Sequence, residues 1–146
     1  MDPGDRERDT ARAMSEENIA ILGAMYDAFN LRAFDDALRY VDPEVELYPG
    51  VIAPDHDGKL LGHAGWHEFI RIAIGAWETV SVEPKERIET EDGRILSLDL
   101  WRFQGRDGIG IERELPTLYA FRDGLIVRID GFTDYAEALE AAGLSE

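Results

Sequence analysis

From Ser15 onward, Ile19, Leu22, Tyr26 and Phe29 recur at spacings of three and four, which gathers large apolar side chains on one face of a helix. Ser15 suits the N-cap and the acids after it suit the first turn. Phe34, Leu38 and Val41 repeat the pattern over a shorter second helix, which Asp42-Pro43 stops because a residue before proline is pushed out of the helical region. Val45 and Leu47 then alternate with Glu44 and Glu46, as in a half-buried strand that ends at Pro49-Gly50. Residues 51–61, with Pro54, Asp57 and Gly58, read as a loop.

From His63, the positions Trp66, Phe69, Ile70, Ala73, Ile74 and Trp77 predict a third helix that is apolar over a broad face and must be buried. Four extended runs follow, at 80–90, 94–104, 109–122 and 125–132. They are joined at Asp92-Gly93, at 105–108 and at Asp123-Gly124, and Asp-Gly turns between such runs predict antiparallel hairpins. A short helix over 134–142, with Gly143 placed for its C-cap, closes the chain. Helices first and a strand meander afterwards is an α+β order, with helices collected on one face of a sheet.

Composition narrows the classes. At 146 residues the chain fits one domain, and 45% hydrophobic with 32% charged residues is a globular mixture. Residues 1–14 are charged and poor in apolar side chains, so they are expected to form a disordered tail ahead of a single domain at 15–146. That opening has no apolar run, so neither a secretory signal nor a membrane anchor is expected. The 15 basic residues against 31 acids give a net charge of −16, which argues against nucleic acid or an anionic membrane as partner. The absence of cysteine removes disulfides and thiolate metal sites and is compatible with a cytoplasmic location.

The stretches AFNLRAFDDALRYVDPEVELYP, GHAGWHEFI and LYAFRDGLIVRIDGFTDYAEALEAAGL, in this order, resemble SnoaL-like proteins of the nuclear transport factor 2-like superfamily. The resemblance implies a cone in which a curved antiparallel sheet wraps three helices around a pocket, often in a homodimer. It implies a small hydrophobic molecule as partner and no cofactor. Its members include isomerases, cyclases, dehydratases and epoxide hydrolases, so the fold leaves the reaction open.

Carried over by position, the resemblance speaks against steroid isomerisation. The carboxylate base of ketosteroid isomerases falls at Pro49, their oxyanion-hole tyrosine at Met25 and their protonated aspartate at Thr117, and none of these three can do that work. The acid that cyclases and epoxide hydrolases place on the last strand falls at Gly131, with Asp130 beside it on the opposite face. Asp99 and Arg102 match an epoxide-hydrolase Arg-x-Asp pair in type but alternate in face.

The remaining candidates come from the residues themselves. Arg113, among apolar neighbours on one strand face, reads either as a holder of a ligand oxyanion or as a sheet-end ion-pair partner. Asp99 shares a face with Ser97, Trp101 and Phe103; turned inward it would be desolvated and fit for acid/base work, whereas Leu96, Leu98 and Leu100 form an equally good buried face. Tyr26, Tyr48, Trp77, Trp101, Thr117 and Tyr119 are the expected pocket residues. His63 and His67 have helical chelating spacing, with His56, Asp55 and Asp57 nearby, yet helix-start exposure accounts for them and no metal is assigned. Two functions stand: a cofactor-free acid/base enzyme using Asp99 and Arg113, or a non-catalytic ligand-binding or dimerisation domain.

Overall fold

A computed structural model describes residues 3–49 and 59–144, with side chains from Glu16 onward. The elements are helix α1 (Pro3–Asn30), the one-turn helix α2 (Phe34–Ala37), strand β1 (Val41–Tyr48), the short β2 (Leu60–Leu61) and helix α3 (Gly62–Gly75). Strands β3 (Thr79–Glu89), β4 (Ile95–Gln104), β5 (Gly110–Arg122) and β6 (Leu125–Gly131) follow, and helix α4 (Tyr135–Ala141) ends the chain. The six strands form one open sheet in the order β2-β1-β6-β5-β4-β3, antiparallel throughout except for the parallel pair β1 and β6.

Two helix boundaries depart from the sequence reading. The backbone is helical from Pro3, so α1 runs through the stretch expected to be disordered and through Ser15, which is no N-cap. Proline is tolerated in a first turn and Glu, Arg, Ala and Met are good helix formers, which sequence reading by apolar content undervalues. The second helix is a single turn followed by a 3-10 turn at Leu38–Tyr40, and the strand already begins at Val41. The other end signals act as read: the Asp134 carboxylate accepts from the Ala136 N–H, and Gly143 sits at a φ of 74°.

The core lies between the concave face of the sheet and the helices. Leu22, Tyr26 and Phe29 of α1 pack with Trp66, Phe69 and Ala73 of α3 and with Val82, Trp101, Leu115 and Ile129 of the sheet. Ile19, the first member of the predicted stripe, is 40% exposed. At the end of α1 the Asn30 amide donates to the Val82 carbonyl at 2.8 Å and accepts from its N–H at 2.9 Å, a two-point tie between helix and edge strand. A smaller cluster on the convex side packs Ala138 of α4 and Ala142 at its C-terminal end on Leu96 and Leu118.

Register decides what faces the core. Ser97 pairs with Thr117, Asp99 with Leu115 and Trp101 with Arg113, so these residues share the concave face, while Leu96, Leu98 and Leu100 lie on the other. On β3 the pairing runs Val82 to Trp101 and Pro84 to Asp99, then slips by a bulge at Lys85 so that Arg87 faces Ser97. Without the extra residue Arg87 would lie on the convex face.

Candidate functional site

A cavity enclosing about 50 Å³ opens between α1, α3 and the concave face of the sheet. Its walls are mainly apolar: Met25, Phe29, Leu47, Trp66, Phe69, Val82 and Ile129. Trp101, whose ring stacks on Phe103 at 5.9 Å and meets Phe29 edge-on at 5.6 Å, adds a fixed aromatic wall. Polar groups enter the lining through Tyr26, Tyr119 and Thr117. Among the described residues, no group hydrogen-bonds the hydroxyl of Thr117, which is 8% exposed.

Behind this lining lies a buried acid. Asp99 is 0% exposed and holds its carboxylate between two hydroxyls, with Tyr26 donating to Oδ2 and Ser97 to Oδ1, each at 2.6 Å. Tyr26 and Tyr119 oxygens are 2.7 Å apart. Since Tyr26 has one hydrogen and gives it to Asp99, Tyr119 is the donor in that second bond. Arg87 completes the group, donating to Ser97 Oγ at 3.4 Å with its guanidinium 4.9 Å from the centre of the Tyr26 ring. Its Nη2, like Trp101 Nε1, is a buried donor with no partner among the described residues.

Burial raises the Asp99 carboxyl from its ordinary 3.8 to about 6, against the downward pull of the Ser97 and Tyr26 hydrogen bonds and the Arg87 charge. Burial, together with the nearby Asp99 charge, also pushes both tyrosines above their ordinary 10, so they stay protonated and act as hydroxyls. The arrangement is a chain of hydroxyls leading from the cavity wall to one carboxylate poised near neutrality.

The sequence-predicted residues divide. Tyr26, Trp101, Thr117 and Tyr119 line the cavity, and Asp99 lies directly behind them. Tyr48 reaches its rim, but its ring lies 4.5 Å beneath Arg128 and its hydroxyl donates to Glu46 at 3.4 Å, so its polar end is engaged elsewhere. Arg113 and Trp77 line a separate shallow groove with Ile72, Ala76, Phe103 and Ile111. Arg113 is exposed there, separated from Asp99 along the strand face by Leu115 and Trp101, so the two do not converge. Met25, Pro49 and Gly131, read as sites of missing catalytic groups, all border the cavity. Asp130 faces the convex side and pairs with Arg128 at 2.8 Å.

Arg87 went unnoticed in the sequence, because strict alternation from Val80 and Val82 puts it on the outer face; the lone arginine beside a proline-containing stretch, where bulges occur, was the available signal. No group of potential metal ligands occurs among the described residues. His63 contacts the Val41 carbonyl at 2.9 Å and His67 approaches Asp35 at 3.8 Å, whereas Asp55, His56 and Asp57 lie outside the described residues. No helix among the described residues is long and apolar enough to cross a membrane.

An open curved sheet packed against its helices gives an α+β fold of the nuclear transport factor 2-like kind. The SnoaL-like domain model matches residues 22–129, so the chain belongs to the SnoaL-like family. No curated protein sequence matches it. An NTF2-like protein of unknown function from Burkholderia pseudomallei is similar in structure at 22% identity, with 86% of this chain and 97% of that one covered and a TM-score of 0.70. TerC, co-crystallised with polyporic acid, is similar at 24% identity over 86% of this chain and 97% of its own, with a TM-score of 0.71. The Δ5-3-ketosteroid isomerase of a Mycobacterium species is similar at 16% identity over 81% and 93%, with a TM-score of 0.68. These likenesses establish the fold.

Proposed function

We propose that the protein takes up a small, largely apolar molecule and performs cofactor-free acid/base chemistry on it, with Asp99 as the group that holds the transferred proton. The observation that carries this reading is a fully buried carboxylate, raised to about 6, joined by hydrogen bonds to Tyr26 and through it to Tyr119 in the cavity lining. A group that titrates near the working pH can both take and return a proton. Asp99 does not itself border the cavity, so the proton passes through the tyrosines: Tyr119 takes it from the ligand while releasing its own to Tyr26, and Tyr26 releases its own to Asp99. Isomerisation, cyclisation, dehydration and epoxide opening all need such a step. Arg113 has no part in this reading because it lies in the other groove.

The test is a panel of small cyclic ketones, epoxides and hydroxy-epoxides in deuterated buffer, followed by NMR for solvent deuterium uptake or ring products, with wild type set against Asp99→Asn. Turnover by wild type that drops to the buffer rate in the variant is expected. Equal rates in both would overturn the acid/base role and favour the second reading, a non-catalytic ligand-binding domain, for which the recession of Asp99 behind the lining speaks.

A homodimer through the convex face belongs to the same proposal. Leu98 and Leu100 are half-buried there, although the paired Glu83, Glu86 and Glu114 put acids around them. Light scattering on the full chain reads the mass, and a monomer at millimolar concentration would exclude the pairing.

A further inference from the structure

The direction of the hydrogen bonds says what kind of molecule fits the polar end of the cavity, given the pocket reading above. With Asp99 ionised, Tyr26 gives its hydrogen to Oδ2, and Tyr119 gives its hydrogen to Tyr26. Both hydroxyl protons are then committed inward. What Tyr119 has left to offer the cavity is lone pairs, and the carboxylate behind adds negative potential. Thr117, two residues away on the same face of β5, contributes an unpartnered hydroxyl that can donate. A ligand satisfying both needs one group that donates to Tyr119 and accepts from Thr117.

We propose that the ligand of this cavity is a small neutral hydroxyl compound, a phenol or an enol or alcohol on an apolar frame, bound as the outermost member of the chain ligand–Tyr119–Tyr26–Asp99. A ketone or ether satisfies Thr117 alone and leaves Tyr119 without a donor, and a carboxylate meets the tyrosine lone pairs with Asp99 behind them. The cavity also bounds size: about 50 Å³ is well below the roughly 150 Å³ that accommodates a benzene ring, so one ring enters by displacing rim side chains and a larger frame extends outward.

The charged and titratable groups set around Asp99 are Tyr26 from α1, Arg87 from β3 and Tyr119 from β5, with Ser97 on its own strand. Arg87 favours the ionised form, and so the inward direction of the chain. If Asp99 takes a proton, the chain can reverse: Asp99 donates to Tyr26, Tyr26 to Tyr119, and Tyr119 to the cavity. Ligand preference should therefore follow the charge on Asp99.

Phenol, anisole and benzoate form a matched probe set of one donor, one acceptor-only molecule and one anion. Calorimetric titration of the full chain at pH 7.5 should give phenol at least five-fold tighter binding than anisole and benzoate. In Asp99→Asn and in Tyr119→Phe, each checked for folding by circular dichroism, the phenol-to-anisole ratio should fall to within about two-fold, since the ionised terminus or the acceptor is gone. Equal binding of phenol and anisole by wild type, or tightest binding of benzoate, would overturn the inference and leave the pocket reading standing. Failure of all three probes to bind at millimolar concentration would remove both.

Discussion

Burying an acid that titrates near neutrality has a thermodynamic consequence that can be measured without knowing any ligand. The Asp99 carboxyl stands at about 6 in the folded chain against an ordinary 3.8, a difference of about two units, and the residue is 0% exposed. At roughly 1.4 kcal/mol per unit this amounts to about 3 kcal/mol. The raised folded value fixes the sign: between pH 4 and pH 6 the folded state holds the Asp99 proton while the unfolded state has released it, so the contribution to stability falls as pH rises. The loss is complete above about pH 7. Asp99→Asn keeps the shape and an acceptor oxygen but removes the titration. Other carboxylates complicate the raw curve; Asp92, held near 2 chiefly by the Arg94 hydrogen bond, stabilises above its unfolded value and loses that contribution as acid is added. The difference between wild type and Asp99→Asn cancels such terms. Urea unfolding followed by tryptophan fluorescence from pH 4 to 8 should show the variant gaining about 3 kcal/mol relative to wild type across that range. Parallel stability curves would refute the claim that the folded protein holds a raised, buried Asp99.

Three further outcomes follow from neighbouring features. Tyr26→Phe removes the donor to a buried carboxylate and leaves the Tyr119 hydroxyl without its acceptor, so urea unfolding at pH 7.5 should show a loss of about 1.5–3 kcal/mol; unchanged stability would mean the bond contributes nothing net. Arg87→Met removes the positive charge that holds Asp99 down, so the Asp99 carboxyl resonance in carbon NMR should titrate with a midpoint above 6, and an unchanged midpoint would show that the charge does not reach it. Gly62→Ala puts a side chain at a φ of 68°, with its Cβ 2.8 Å from the Pro43 carbonyl, and should cost about 1–3 kcal/mol in a thermal melt; a variant as stable as wild type would contradict that geometry.

Much of the architecture was present in local pattern. The 3.6-residue stripe of Leu22, Tyr26 and Phe29, the Asp-Gly turns, the Asp134 cap and the terminal Gly143 each depend on a few adjacent residues, whose chemistry is fixed before any tertiary contact forms. The broad apolar face of α3 told that it would be buried, and Trp66, Phe69 and Ala73 are. Met25, Pro49 and Thr117, the positions at which the resemblance expects the groups of steroid isomerases, border the cavity. Helix ends were harder, since Ser15 looks like a cap only if the preceding residues are not themselves helical.

The candidate site is another matter, because a strand's two faces look alike until its partners are known. Asp99 could have faced solvent had Leu96, Leu98 and Leu100 taken the concave side; pairing of Ser97 with Thr117 and Trp101 with Arg113 chose otherwise. One bulged residue, Lys85, turned Arg87 inward onto Tyr26 and Ser97, which period-two reading would place on the outside. Arg113 shares the concave face but at the far end, where the groove is open and the charge stays hydrated. Sequence alone thus determined most of the helices, strands and turns, since these depend on local propensity and residue type. Only the tertiary structure decided that an aspartate, two tyrosines, a serine and an arginine from α1, β3, β4 and β5 meet at one cavity wall, because register and bulge are set by long-range pairing that no local window contains.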